Sequence, residues 1–149
     1  IRDRSMVAVG VRKVEMEEVF EQSDIISIHA PELPSTYHIV NEASIASMKD
    51  GVILINTARG TAIDEQALAK ALLSGKIKTA CLDVYDPEPP CADNPLLKLD
   101  NCIMTPHIAG QAANGLQRIG YNCYCQLLHF LAGERMQGEI TRDMLNHIA

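Results

Sequence analysis

Short apolar runs rich in β-branched residues alternate along this chain with stretches whose apolar positions recur every three or four residues. Residues 15–22 carry the second pattern and predict a helix ending near Ser23. Residues 24–30 (DIISIHA) predict a strand, stopped by Pro31 and Pro34, which have no amide hydrogen to give to a ladder. Asn41 suits an N-cap for a helix running to Lys49, with Ile45 and Met48 on one face. Gly51 then opens a second strand, VILINTA, over 52–58. Asp64 caps the next helix, where Ala67, Leu68, Ala71 and Leu72 form a stripe and Gly75 fits the residue just past the end. A third strand is predicted over 77–84 (IKTACLDV) and a fourth over 102–105.

Strands this continuously apolar are the habit of a parallel sheet covered by helices on both faces. Strand and helix alternate with short joints, so right-handed βαβ units are the economical topology. The expectation is a doubly wound α/β domain over residues 1–112. From Ala112 to Ala132 the pattern becomes one long helix, striped by Leu116, Ile119, Cys123, Leu127 and Phe130 and ended by Gly133. The tail, 134–149, is more polar and is expected to belong to a second domain.

Composition narrows the function classes. With 47% hydrophobic and 21% charged residues the chain is an ordinary globular one. Its net charge of −6 argues against a nucleic-acid surface, which needs clustered Lys and Arg. No apolar run approaches the roughly 20 residues that span a bilayer, so no membrane partner is expected. The five cysteines form no CxxC pair, which suits neither a disulfide framework nor a zinc site and points to a reducing, cytoplasmic setting. No metal site is predicted. The opening Ile-Arg-Asp, without Met, reads as a fragment of a longer polypeptide.

Ligands of open α/β sheets bind at the carboxyl ends of the strands. Three segments rich in chemistry fall there: 56–60 (NTARG), 83–90 (DVYDPEPP) and 105–110 (TPHIAG). Arg59 offers a planar fork that can hold a carboxylate by two parallel hydrogen bonds; a surface arginine pairing with a helix end is the plainer alternative. His107 can exchange a proton near neutrality, although an isolated histidine is more often structural. Glu88 lies in a proline-bracketed turn, where a rigid carboxylate can orient an imidazole and favour its charged form. Asp83 closes an apolar strand and needs a partner: it can accept a hydrogen bond from a bound amide, or cap a following turn. GxGxxG, GxxxxGK[ST] and HExxH are all absent.

In order and spacing, SDIISIHAP (23–31), MKDGVILINTARG (48–60), DEQALAKALLSGKI (64–77), CLDVYDPEPP (81–90) and NPLLKLDNCIMTPHIAG (94–110) closely resemble the D-isomer-specific 2-hydroxyacid dehydrogenases, the family of phosphoglycerate dehydrogenase. The resemblance implies an incomplete Rossmann-type sheet lacking its first βαβ unit, the one that carries the glycine loop. Residues 113–149 would then be the crossover helix and the return segment of a substrate domain. It implies interconversion of a 2-oxo acid and a D-2-hydroxy acid by hydride transfer with NAD(H). Arg59 would bind the substrate carboxylate, His107 would be the acid/base, and Glu88 would pair with His107. Asp83 would hold the nicotinamide carboxamide, with Thr57, Ala58 and Gly110 near the ring and His29 and Pro31 at the adenine side. NADP stays open through Arg2 and Arg4, which could meet a 2′-phosphate, and a homodimer is implied. A non-catalytic dinucleotide-sensing interaction protein on the same fold is the competing reading. Without its glycine loop, this chain is expected to hold NAD poorly.

Overall fold

A computed structural model describes residues 10–111, 114–142 and 144; the suggestion that Arg2 and Arg4 meet a 2′-phosphate lies outside them. The described elements run α1 (Met16–Gln22), β1 (Ile25–Ile28), α2 (Glu42–Ser47), β2 (Val52–Asn56), α3 (Glu65–Ser74), β3 (Ile77–Leu82), β4 (Cys102–Met104) and α4 (Gly115–Leu131). Short 3-10 turns occupy Gly60–Ala62, Pro95–Lys98 and Ala109–Gln111.

The four strands pair in parallel in the order β1-β2-β3-β4, so each crossover steps to the next position of one sheet. The caps work as their residue types require. Asn41 Oδ1 accepts the amides of Ala43 and Ser44 at 2.9 and 3.1 Å, and Ser44 Oγ accepts that of Asn41 at 2.9 Å. Asp64 Oδ1 accepts from Gln66 and Ala67 at 3.0 and 3.1 Å, and Gly75 closes α3 at φ 77°, where a Cβ is disfavoured. The strands come out shorter than predicted at their carboxyl ends: β1 stops at Ile28, β2 at Asn56 and β3 at Leu82. The residues that follow turn away to carry side chains over the sheet edge.

Burial differs between the two faces of the sheet. Ile26, Ile28, Val52, Leu54, Ile77, Ala80 and Leu82 share a core with Ile45, Leu68, Leu72 and Leu96. On the opposite face, Ile25 and Ile103 are 60% and 56% exposed, and Ile53 and Ile55 are half-buried. Among the described residues that face is the less covered of the two. An apolar run does not report the difference, because successive side chains alternate between faces whatever lies above them.

α4 is the predicted long helix, described from Gly115; its expected start at Ala112 lies outside the described residues. It begins hard against the preceding 3-10 turn, since a Cβ on Gly115 would meet the Gly110 carbonyl oxygen at 2.6 Å. Gly133 ends it at φ 70°. Its apolar stripe packs on nothing described, and none of its residues is buried. No helix among the described residues is long and apolar enough to cross a membrane.

Candidate active site

Ile28, Asn56, Leu82 and Met104 stand in one row across the sheet, and every candidate residue follows that row in the chain. After β2, the wholly buried Asn56 folds the chain back on itself. Its Oδ1 accepts the Ala58 amide at 3.0 Å and its Nδ2 donates to the Arg59 carbonyl at 2.8 Å, so a polar side chain in the core is satisfied and the turn is fixed. Arg59 leaves this turn half-exposed, donating from Nη1 to the Ala58 carbonyl at 2.8 Å. Its Nε lies 3.8 Å from Oε2 of Glu32, the residue after Pro31. Thr57 is exposed and Ala58 partly buried beside it.

Gly60 explains the glycine that follows Arg59. A Cβ there would lie 2.0 Å from both the carbonyl carbon and oxygen of Tyr85, inside the backbone itself. The Arg59 turn is thereby seated directly on the segment that leads to Glu88.

Asp83 is buried and both of its carboxylate oxygens are engaged. Oδ1 accepts from the Thr105 hydroxyl and from the Ile108 amide at 2.9 Å, and Oδ2 accepts from the Ala109 amide at 2.8 Å. Burial pushes its carboxyl up, but the bonds from Thr105, Ala109 and Ile108 and the nearby His107 outweigh that and hold it below the ordinary carboxylate range. Three bonds fix Asp83 to the loop that bears His107, and a carboxylate with about four acceptor sites keeps room for a bound amide as well.

His107 stands on that loop at φ 53°, a left-handed conformation uncommon for a residue with a side chain. Its Nδ1 lies 2.6 Å from Oε1 of Glu88, with both side chains accessible. A ring nitrogen facing a carboxylate carries the hydrogen, which leaves Nε2 to exchange a proton with a reactant. Glu88 is in turn placed by Glu65, at the start of α3, which accepts from the Asp86 amide at 3.1 Å and from the Asn94 side chain.

The remaining candidates stand apart from these bonds. His29 Nε2 is 2.9 Å from its neighbour Ser27 Oγ, and the Pro31 carbonyl accepts from Thr36 Oγ1 at 2.6 Å. Gly110 lies exposed in the last 3-10 turn, with open space where a Cβ would go.

The model of the D-isomer specific 2-hydroxyacid dehydrogenase, NAD binding domain, matches residues 2–109. The chain belongs to that family. Hydroxypyruvate reductase from Thermotoga maritima is 49% identical over 112 residues, which are 74% of this chain and 37% of that protein. The holo form of Rhodotorula graminis D-mandelate dehydrogenase aligns with a TM-score of 0.82 at 32% identity, covering 95% of this chain and 42% of that one. D-lactate dehydrogenase from Aquifex aeolicus, solved with NAD and lactic acid, aligns with a TM-score of 0.76 at 34% identity over 90% of this chain and 45% of that one. This chain thus spans between 37% and 45% of the length of these three relatives.

Glu32 and Glu65 carry no mark in the sequence, and Asn56, Tyr85 and Thr105 fall within the segments rich in chemistry without a role of their own. Asn56 alone carries a local signal, a polar residue closing a buried strand. The others act on residues distant in the chain, which no spacing rule reports.

Proposed function

We propose that this chain is the catalytic portion of a longer NAD(H)-dependent D-2-hydroxyacid dehydrogenase, in which Arg59, His107 and Glu88 act on a small 2-oxo or 2-hydroxy acid. The observation that carries the reading is the 2.6 Å contact between His107 and Glu88 on a loop fixed at the carboxyl edge of a parallel sheet. In reduction, Arg59 turns from the Ala58 carbonyl and Glu32 to take the substrate carboxylate. His107 gives the proton on Nε2 to the carbonyl oxygen at C2 and recovers it in oxidation. Glu88 keeps the ring oriented and compensates the charge that accumulates on it.

The donor set fits the nicotinamide end of NAD: exposed Thr57 and a backbone fixed by Asn56 lie at the edge where such rings bind. NAD(H), when bound, supplies the hydride. Thr57, Ala58 and Gly110 would border its ring, and His29 and Pro31 its far side. Asp83 would hold its carboxamide while fixing the loop. The 2′-phosphate form of the cofactor is a second candidate. The resemblance supports a homodimer in the cytoplasm.

The test is turnover by the full-length polypeptide. NADH should be consumed with glyoxylate, pyruvate or hydroxypyruvate, and His107→Asn should abolish most of that rate. No consumption with any small 2-oxo acid would remove the basis of the proposal.

A further inference from the structure

Between Asp83 and Glu88 stands a buried tyrosine to which the reaction assigns nothing. The Tyr85 hydroxyl is 2.7 Å from the Thr105 carbonyl and 2.9 Å from the Leu82 carbonyl. Each carbonyl also accepts one backbone amide, and the Thr105 oxygen is the nearer of the two, so the single hydroxyl hydrogen is given chiefly to Thr105. That same Thr105 carbonyl accepts the His107 amide at 3.0 Å, the bond that closes the tight turn about Pro106, from which His107 leaves at φ 53°. Two donors thus meet on one oxygen: the tyrosine from below and the histidine backbone from the loop.

We propose that Tyr85 is a positioning residue for the Arg59, Glu88 and His107 set, acting through the Thr105 carbonyl with its hydroxyl and through Gly60 with its backbone. It rests on the reading of His107 as the proton donor. Three contacts make the case. The hydroxyl donates to the Thr105 carbonyl from the core side and helps to keep it turned towards the His107 amide. The Tyr85 carbonyl forms the seat of Gly60 and so sets the height of Arg59 above the sheet. The chain then runs directly from Tyr85 into the turn that carries Glu88.

Asp83 grips the loop at Thr105, Ile108 and Ala109 and leaves the Thr105 carbonyl to Tyr85. Burial raises the phenol above its ordinary value; the Thr105 bond opposes this, and Asp83, Cys102 and Glu88 add to it, so the hydroxyl stays protonated as a donor through neutral pH.

Tyr85→Phe removes the hydroxyl and keeps the ring. In the full-length enzyme it should lower kcat about three- to ten-fold, the effect of one lost hydrogen bond, while KM for the 2-oxo acid moves less than about twofold. In the present chain, the downfield proton resonance of the short His107–Glu88 bond should broaden or move upfield. Ile77→Val, at the other end of β3, trims the core without touching the loop and should leave both readouts alone. A Tyr85→Phe protein indistinguishable from Ile77→Val in kcat and in the resonance would overturn the proposal. The resonance is decisive even if the wild-type enzyme turns over no 2-oxo acid, so failure of the enzymatic reading and failure of this one are separable.

Discussion

His107 Nδ1 and Glu88 Oε1 lie 2.6 Å apart although 19 residues separate them in the chain. The two meet because β3 and β4 are neighbours: one side chain comes from the turn after the first, the other from the loop after the second. Replacing His107 with Asn keeps a polar side chain but removes the group that can act as acid and base. Turnover of the full-length enzyme should fall by about 10²–10⁴-fold, the usual worth of a positioned acid/base. Glu88→Gln should cost less, since Nε2 survives. Steady-state kinetics across both variants would test the pairing, and an unchanged kcat in His107→Asn would reject the acid/base role.

Gly60→Ala should be far more harmful than an alanine at an ordinary glycine. Its Cβ would fall 2.0 Å from the Tyr85 backbone, and neither segment is free to retreat from the core. Overpacking of this kind costs about 1–3 kcal/mol or more. Gly75→Ala, with open space at φ 77°, should lose only about 1–2 kcal/mol from left-handed strain and should leave KM alone. Urea midpoints and KM for the oxo acid would decide, and equal losses at the two sites would refute the steric account.

Asp83→Asn offers three donors one acceptor oxygen and should destabilise the chain by about 1–3 kcal/mol at neutral pH. The sign of the pH dependence follows from the lowered carboxyl. A group depressed on folding contributes its full stability above its unfolded value, about 3.9, and loses it as pH falls through the folded value. The gap between wild type and Asp83→Asn should therefore be flat from pH 7 to 5 and close below about pH 4. Denaturant titrations at pH 7, 5 and 3 would show it; a gap that persists undiminished at pH 3 would count against the carboxylate.

Arg59→Lys keeps the charge and loses the fork. KM for a 2-oxo acid should rise roughly 10- to 100-fold, matching a charge-assisted bond of about 1.5–3 kcal/mol, while NADH affinity holds. An unaltered KM would return Arg59 to the plain surface role.

The 149 residues contain no GxGxxG, so nothing in the chain offers a glycine-rich loop for a pyrophosphate. Fluorescence titration of NADH with this chain alone should show negligible binding, and micromolar affinity would contradict the weight placed on that loop.

The sheet was readable because Ile26, Leu54, Ala80 and their neighbours announce strands, and because Asn41, Asp64 and Gly75 punctuate helices by local chemistry. Arg59, Glu88 and His107 were readable as a set from the order of their motifs. What stayed hidden depended on distance. The need of Asp83 for a partner was legible, but the partners it holds lie 22 to 26 residues away and become visible only when β4 is laid beside β3. The exposure of Ile25 and Ile103 among the described residues was hidden for the reason that governs all strands: alternation shows that two faces exist, not how far each is covered.

α4 buries none of its 17 residues. Most helical stability in proteins comes from packing an apolar face, and α4 buries no such face among the described residues. In a deuterium-labelling experiment its amides should therefore exchange early, within the time of local fraying, while those of β2 and β3 wait for the whole sheet to open. The chain would resolve into two clocks, one read from Gly115 to Leu131 and the other from Val52 to Leu82.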